Sequence, residues 1–554
     1  MTNSIEYKNQ LESVCVQYGD KNAITYMRND GTKTYYTFKQ ILELIQNAEK
    51  QFETVGLIPG DRAAIIVPHS PFAIFAGLSL AYSNITSVLI DAALPTEEIN
   101  RLLEISDVRA VFTVSNIYNH LDKTLIVDIP VFNISTIVDK LVLFEESTAS
   151  VKKYITTDPQ LDVITILFSS GTTSGVKGVM ITYFAFLESI KLFIIPSEIT
   201  DESSFLYVLP FYHMAGFTGG LACLFSGCDV GMIEDMDSLK IQKSLIEYQP
   251  SVFSMVPRVF DIMAQKIKSA VCEKGIVVET IINLLLSLSG FFRKHIGINL
   301  GRHIFAGVNK KVFGENFCGI GTGASLCSKD TTRFFLNLGF KWANFYSLTE
   351  TNVPTVSTAA FERYPDAGVG RINRYDDIRI KIHNPDENGI GEIRVKTILI
   401  MKGYFRDPEL TTAAFDDDGY FKTGDLGYID KKSNLHITGR TKEAIHMHTG
   451  KKIAPSDVDS YYIGLLPDAA FASCGVPDKN GIYDEIHLFI ERENLSTEEQ
   501  QVIKRSIMDL SGQSSTLYQI SGIHFIDKLP MTSVGKVKRF ILKDIAIAER
   551  EVNE

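Results

Sequence analysis

The sequence predicts a mixed chain, α/β followed by α+β: a large N-terminal domain of doubly wound α/β layers carrying a small β-rich lobe, and a small α+β domain at the C-terminal end. Three observations predict it. A chain of 554 residues is too long for a single hydrophobic core. Its early part alternates short β-rich runs with helical ones, the rhythm of helices layered on parallel sheets. Beyond Arg440 that rhythm gives way to a compact pattern of strands and helices.

The elements come in order along the chain. Residues 38–52 carry helical periodicity, and residues 63–67 and 110–114 are short β-rich runs of the layered part. Residues 163–168 form an apolar strand that feeds a loop rich in glycine and hydroxyl groups. Residues 391–396 and 419–425 are strands and turns of the smaller β-rich lobe. In the last part, residues 470–476 and 485–491 are strands, and a helix runs to Leu510 from a start marked by Ser496 and Glu499 at capping-box spacing. The expected division is 1–439, a junction at 440–443, and 444–554. No internal repeat is evident.

Composition narrows the function classes. With 55 basic and 66 acidic residues the formal charge is −11, and no block of like charge forms a tail, which argues against a nucleic-acid partner. The seven cysteines are odd in number, scattered, and without a C-x-x-C pair, so a disulfide framework or zinc site is not expected and a reducing compartment fits. The N-terminus lacks the basic start and apolar core of a signal peptide, so a cytoplasmic residence is expected. Residues 281–292 are apolar but short of the roughly 20 needed to span a bilayer. With basic residues on both sides, this stretch reads as a packed helical insertion or, alternatively, as an amphipathic surface making peripheral membrane contact, with no integral span.

The most informative stretch is Phe168-Ser-Ser-Gly-Thr-Thr-Ser-Gly-Val-Lys177-Gly-Val-Met180. Glycines let backbone N–H groups turn toward an anion, the hydroxyls add donors, and Lys177 adds a positive charge. It is not the nucleotide-hydrolase loop G-x-x-x-x-G-K-[ST]. Counted from Gly171, the second glycine falls on Val176 and the hydroxyl on Gly178. A phosphate loop of another kind is the better reading.

Further segments come in a fixed order: Pro210-Phe-Tyr-His213-Met-Ala-Gly216, Gly321-Thr-Gly-Ala-Ser-Leu326, Tyr346-Ser-Leu-Thr-Glu350, Lys422-Thr-Gly-Asp425-Leu-Gly427, Gly439-Arg440-Thr-Lys442-Glu, and Leu529-Pro-Met-Thr-Ser-Val-Gly535-Lys536. With these in view the chain resembles the adenylate-forming superfamily of acyl-CoA synthetases, peptide-synthetase adenylation domains and beetle luciferases. The resemblance covers nearly the whole length. It implies ATP-dependent activation of a carboxylic acid to an acyl-adenylate, then transfer to a thiol, with a mobile C-terminal domain.

The resemblance also implies roles, residue by residue. Ser169, Ser170, Gly171, Thr172, Thr173 and Lys177 match the loop that holds the ATP phosphates, although Ser174-Gly175-Val176 replaces the usual Gly-Leu-Pro or similar ahead of the lysine. Thr349 and Glu350 match a pair whose hydroxyl contacts the α-phosphate and whose carboxylate holds Mg²⁺. Tyr346 matches the aromatic residue stacked on adenine, and Gly323, Ala324 and Ser325 match the strip bordering the base. Asp425 and Arg440 match the acid and guanidinium that read the ribose. His213 matches the histidine at the mouth of the acyl site, and the small residues Ala215, Gly216, Gly219 and Gly220 read as room for an acyl chain. Lys536 matches the lysine that bridges carboxylate and α-phosphate, the expected catalyst of adenylation. Lys442 matches the hinge.

For the second step the resemblance points to a surface beyond the hinge, which here contains His446, His448 and Gly450. The family typically has lysines at the two histidine positions and one residue fewer before the glycine. Histidine, unlike lysine, changes charge in the physiological range, so the transfer step is expected to depend on pH.

The apolar insertion after residue 256 is similar to that of long-chain fatty acyl-CoA synthetases, so a medium- or long-chain acid with coenzyme A as acceptor is the leading expectation. A fatty acyl-AMP ligase, loading the phosphopantetheine arm of an acyl carrier protein, is the alternative. Lys451, Lys452, Lys538 and Arg539 could dock either the coenzyme A phosphates or an acidic carrier, so charge does not discriminate between the two acceptors. A regulatory adenylate binder without catalysis is disfavoured by the joint presence of Lys536, Glu350 and Asp425, and nothing in the residues specifies light emission.

Overall fold

The structure, a computed structural model, describes all residues except 1, 135–140, 145–160, 171–175, 198, 235–237, 318, 324–327, 358–368, 373–377, 449–451, 463–469, 480, 492–495, 514–517, 533–535 and 554. The contacts divide it into two compact units. The first comprises 1–378 with 396–415, and the second 379–395 with 416–554.

The larger unit is layered α/β, as the alternation predicts. One eight-stranded sheet has the order Gly403–Tyr404, Val176–Thr182, Val163–Ser170, Thr86–Leu89, Arg62–Ile66, Ala110–Thr113, Val131–Asn133 and Val142–Leu143. Its centre is parallel, with Arg62–Ile66 between Thr86–Leu89 and Ala110–Thr113. These strands are buried along their whole length, which is why they read as unbroken apolar runs rather than alternations. Antiparallel strands close both edges.

A second set of strands in this unit has a parallel centre in the order Asn22–Met27, Asp229–Ile233, Ser204–Tyr207, Val252–Met255, Gly319–Gly323 and Lys341–Leu348. Its core packs Phe260, Phe313, Phe335 and Trp342 against one another. Trp342 is fully buried, and its indole N–H donates to Asn344 at 2.8 Å. The helix Phe38–Val55 opens with the capping box of Thr37 and Gln40, worth about 1 kcal/mol, and ends on Gly56 at φ 87°.

In the second unit the strands Gly391–Thr397, Phe421–Ile429 and Asn434–Arg440 form antiparallel neighbours. Strands Phe471–Pro477, Asp484–Glu491 and Ile520–Ile526 make a separate three-stranded sheet. The helix Thr497–Gln513 starts on the expected capping box: Ser496 N–H donates to Glu499 at 2.7 Å and Glu499 N–H donates to Ser496 Oγ at 3.3 Å. The β-rich lobe expected in the large domain falls largely in this unit, because Arg394 and Lys381 both ion-pair with Asp416 and tie 379–395 to the chain beyond 415. The expected junction at 440–443 lies inside this unit, in the turn that follows the strand Asn434–Arg440.

The apolar insertion differs from its expected length. It is a 20-residue helix, Ile276–His295, long and apolar enough by length and composition to cross a membrane. Glu279 and Thr280 precede the apolar run in the sequence and Arg293 follows it, while Asn283 and Ser287 lie within it; in the helix Thr280, Asn283 and Ser287 are all exposed. Two of these side chains satisfy themselves locally, the Thr280 hydroxyl donating to the Ile276 carbonyl and the Ser287 hydroxyl to that of Asn283.

Candidate active site

In the larger unit the phosphate-loop stretch is a β-hairpin. Val163–Ser170 runs antiparallel to Val176–Thr182, with Ser169 opposite Lys177 and Ser170 opposite Val176. Gly171, Thr172 and Thr173 lie outside the described residues, between the two strands. The hairpin is held from its other side by Gly403–Tyr404, which pairs with Met180 and Val179. Phe405 N–H donates to the Gly178 carbonyl at 2.7 Å, and a Cβ on Gly178 would press on Ile166, Phe168 and Phe405 at 3.2–3.3 Å. Glycine beside Lys177 lets this third strand lie close without displacing those side chains.

That strand brings a residue that sequence reasoning missed. The Tyr404 hydroxyl donates to Glu350 Oε1 at 3.0 Å, and Lys177 Nζ lies 5.1 Å from the centroid of the same ring. Burial, and then the Glu350 carboxylate beside it, push the Tyr404 hydroxyl well above its ordinary pKa, so it remains a donor. The Glu350 carbonyl accepts from Met401 N–H at 2.8 Å, which fixes the backbone as well. Cation, ring and carboxylate thus form one chain of contacts that begins at the loop end of the hairpin. The signal in the sequence was weak, since Tyr404 lies 54 residues from Glu350.

Thr349 and Glu350 sit in the turn after the strand Lys341–Leu348, and both are half-buried. The turn is braced by Leu348 N–H donating to Thr351 Oγ1 at 3.2 Å and by Thr218 donating to Asn352 at 3.3 Å. Asn352 is completely buried at φ 58°. Tyr346 lies on the same strand opposite Val356 and is buried. Gly323 ends the neighbouring strand, where a Cβ would meet the Phe345 carbonyl at 3.0 Å. Ala324 and Ser325 lie outside the described residues.

His213 is half-buried at the residue before the helix Met214–Phe225, and its carbonyl accepts from Phe217 N–H at 2.8 Å. Two of the small residues after it, Gly216 and Gly220, do not leave acyl space as expected. A Cβ on Gly216 would stand 2.0 Å from the Pro210 carbonyl oxygen, one on Gly220 would stand 2.7 Å from the Tyr207 ring, and Gly219 faces Phe193 at 3.4 Å. Gly216 and Gly220 permit close helix packing, with neighbouring groups already filling the space beside them.

In the second unit Asp425 and Arg440 are cross-strand partners, and Arg440 Nε contacts Asp425 Oδ1 at 2.9 Å. Asp425 is only 5% exposed, and it follows Gly424 at φ 70° with its N–H donating to Thr423 Oγ1 at 3.0 Å. Lys536 belongs to a small hairpin. Its N–H donates to Thr532 Oγ1 at 3.0 Å, its carbonyl accepts from Thr532 N–H at 2.7 Å, and Met531 bridges to Val537. Burial first, and then the Arg440 guanidinium, lower the Lys536 pKa to about 8, while Asp425 and Glu443 oppose the shift. The three residues predicted from separate motifs, Asp425, Arg440 and Lys536, therefore share one electrostatic neighbourhood.

Lys442 is exposed in the turn after Arg440, where Ala444 N–H donates to the Arg440 carbonyl at 2.8 Å. His446 and His448 are exposed on either side of buried Met447, so they share a face as an extended segment requires. His446 N–H donates to Asp484 at 2.9 Å, and the His448 ring meets Tyr483 edge-on at 5.7 Å. Gly450 lies outside the described residues. Arg539 does not serve as a docking cation as expected: its guanidinium donates to Asp459 at 2.6 Å and to the Ser473 carbonyl at 3.0 Å, holding its helix to the sheet.

Glu350 suits a hard cation. One oxygen accepts from Tyr404, no group of three His, Cys, Asp or Glu side chains is gathered among the described residues, and a single carboxylate would hold Mg²⁺ only together with oxygen ligands from outside the chain. Removing the tyrosine hydroxyl tests this arrangement. Tyr404→Phe keeps the ring beside Lys177 but frees the carboxylate to rotate, and kcat/KM for ATP is expected to fall about tenfold with a higher Mg²⁺ requirement. Steady-state assays over a magnesium titration check it, and an unchanged titration would remove Tyr404 from the site.

Comparison with known proteins places this geometry. Residues 11–405 match the AMP-binding enzyme family. Parsley (Petroselinum crispum) 4-coumarate–CoA ligase 1 is 24% identical over 551 residues, covering 94% of this chain and 90% of that protein. A Gallus gallus long-chain-fatty-acid–CoA ligase is 30% identical over 318 residues, covering 53% of this chain and 40% of that one. The Bacillus subtilis o-succinylbenzoate coenzyme A synthetase, solved with ATP and magnesium ion, superposes with a TM-score of 0.71 at 20% identity, covering 97% and 99% of the two chains. The protein has the layered fold of adenylate-forming enzymes. It belongs to the AMP-binding enzyme family, and within it to the AMP-forming ligases that activate an acid.

Proposed function

We propose that this protein joins a medium- or long-chain fatty acid to coenzyme A at the expense of ATP, in the cytoplasm. In the first step a carboxylate oxygen attacks the α-phosphorus, the bond to pyrophosphate breaks, and an acyl-adenylate forms. In the second a thiolate attacks the acyl carbon and AMP leaves with the carboxylate oxygen. The first step brings an anion onto a polyanion, so positive charge must stand where negative charge grows.

The observation that supports this reading most is the desolvated Lys536 ammonium beside the Asp425–Arg440 pair. Asp425 and Arg440 hold the ribose, and Lys536 neutralises the carboxylate and α-phosphate oxygens as the anhydride forms. Lys177 and the hairpin donors hold the β- and γ-phosphates, Thr349 contacts the α-phosphate, Tyr346 and Gly323 border the base, and His213 lies toward the acyl group. Glu350, oriented by Tyr404, holds Mg²⁺, which neutralises phosphate charge when bound. Lys442 is the hinge of the cycle, and His446 and His448 serve the thiol step.

The chicken ligase match and the long apolar insertion support a fatty acid; the 4-coumarate ligase match keeps aromatic acids in the comparison. Exposed histidines where the resemblance has lysines favour a second reading, transfer to the phosphopantetheine arm of an acyl carrier protein. One panel tests both: acids of increasing chain length and 4-coumarate, read by pyrophosphate release, with coenzyme A and a holo carrier protein compared as acceptors. Preference for 4-coumarate would overturn the fatty-acid reading. His446→Ala is expected to slow thiol transfer about tenfold while leaving ATP–pyrophosphate exchange within about twofold. Equal losses in the two assays would displace it from the second step.

A further inference from the structure

The helix Ile276–His295 is anchored on one side only. Ile282, Leu285 and Leu286 pack on the core, Ser289 Oγ donates to the Asn337 carbonyl at 2.8 Å, and Arg293 donates to that of Leu336 at 2.8 Å. Gly290 lies so near Asn337 that a Cβ would stand 2.8 Å from its side chain. These contacts fix the helix lengthwise against its unit, so it cannot thread a bilayer without tearing them.

Its outer side carries Val277, Ile281, Leu284, Leu288 and Phe291, spaced by three and four residues on one stripe. They are 67, 52, 67, 43 and 56% exposed. A row of such residues costs solubility unless something covers it. The neighbouring chain supplies a second observation. From 280 to 314 there is no Asp or Glu, in a protein of net charge −11, while Arg293, Lys294, Arg302, Lys310 and Lys311 all fall there. Lys294, Arg302 and Lys311 are exposed, and Ile298, Ile304 and Val308 add exposed apolar groups between the cations. Lys310 is paired with Glu315.

We propose that this helix lies in the plane of an anionic lipid surface, its stripe among the acyl chains and the neighbouring cations at the headgroups. An amphipathic helix with this division binds membranes through its apolar area and through attraction to anionic lipid. A second copy of the chain is a poorer occupant. In a twofold contact the same patch meets itself, and the cations would face one another.

The test is sedimentation of the purified full-length protein with vesicles of phosphatidylcholine, or of phosphatidylcholine and phosphatidylserine in equal parts. The protein is expected to sediment with the mixed vesicles and far less with phosphatidylcholine alone. Leu284→Glu with Phe291→Glu, both outward and solvent-exposed, is expected to reduce partitioning at least about tenfold, and Arg302→Glu with Lys311→Glu about fivefold per cation on mixed vesicles alone. Thermal melting and ATP–pyrophosphate exchange with a short soluble acid, unchanged in the variants, show that fold and chemistry are intact. Retention of all protein in the supernatant, or variants that bind like the parent, would overturn the proposal. So would a vesicle-independent dimer that Leu284→Glu dissolves, and neither outcome touches the proposed chemistry.

Discussion

Lys536→Ala is expected to lower carboxylate-dependent ATP–pyrophosphate exchange at least about 100-fold, a loss of about 2.7 kcal/mol of transition-state stabilisation. The same variant is expected to convert a supplied acyl-adenylate to thioester at close to the parent rate, because that step forms no bond at phosphorus. The lowered pKa of about 8 adds a signature. The ammonium is charged below that value and neutral above it, so kcat/KM for exchange falls as pH rises through about 8, approaching tenfold per unit. An exchange rate unaffected by the substitution would remove Lys536 from the chemistry.

Glu350→Gln is expected to have the second large effect. The amide keeps the shape and can still accept from Tyr404, so the change removes charge alone. Loss of an anionic ligand for a divalent cation is expected to cost about 100-fold in kcat/KM for ATP, with part of the loss recovered at high magnesium. A magnesium titration of exchange checks it. The pairing with Tyr404→Phe is informative, since the tyrosine change leaves the charge and disturbs only its orientation. If both residues act through the same cation, the double variant is no worse than Glu350→Gln by more than about twofold.

Much of the architecture was legible because local signals agreed. The buried strand before Ser169 reads as an apolar run, Ser496 and Glu499 do form their capping box, and Asp425 and Arg440, assigned to one ligand from two motifs, are ion-paired neighbours. What was not legible depends on tertiary approach. Gly216 and Gly220 look like empty space in a sequence, and only the fold shows the Pro210 carbonyl and the Tyr207 ring against them. Arg539 looks like a free cation until Asp459, 80 residues away, is brought to it. Tyr404 carries no periodic or spacing signal toward Glu350; a third strand laid against the hairpin brings the two together. The apolar insertion reads short because Glu279 and Thr280 precede its run and Arg293 follows it, although the helix Ile276–His295 includes all three.

The most direct measurement tracks the carboxylate oxygens. A substrate acid labelled with heavy oxygen in its carboxylate, turned over with ATP and coenzyme A, is expected to deliver one labelled oxygen to AMP, detected by mass spectrometry. Label appearing in inorganic phosphate, or AMP formed without label, would contradict an acyl-adenylate and with it the reaction assigned to this protein.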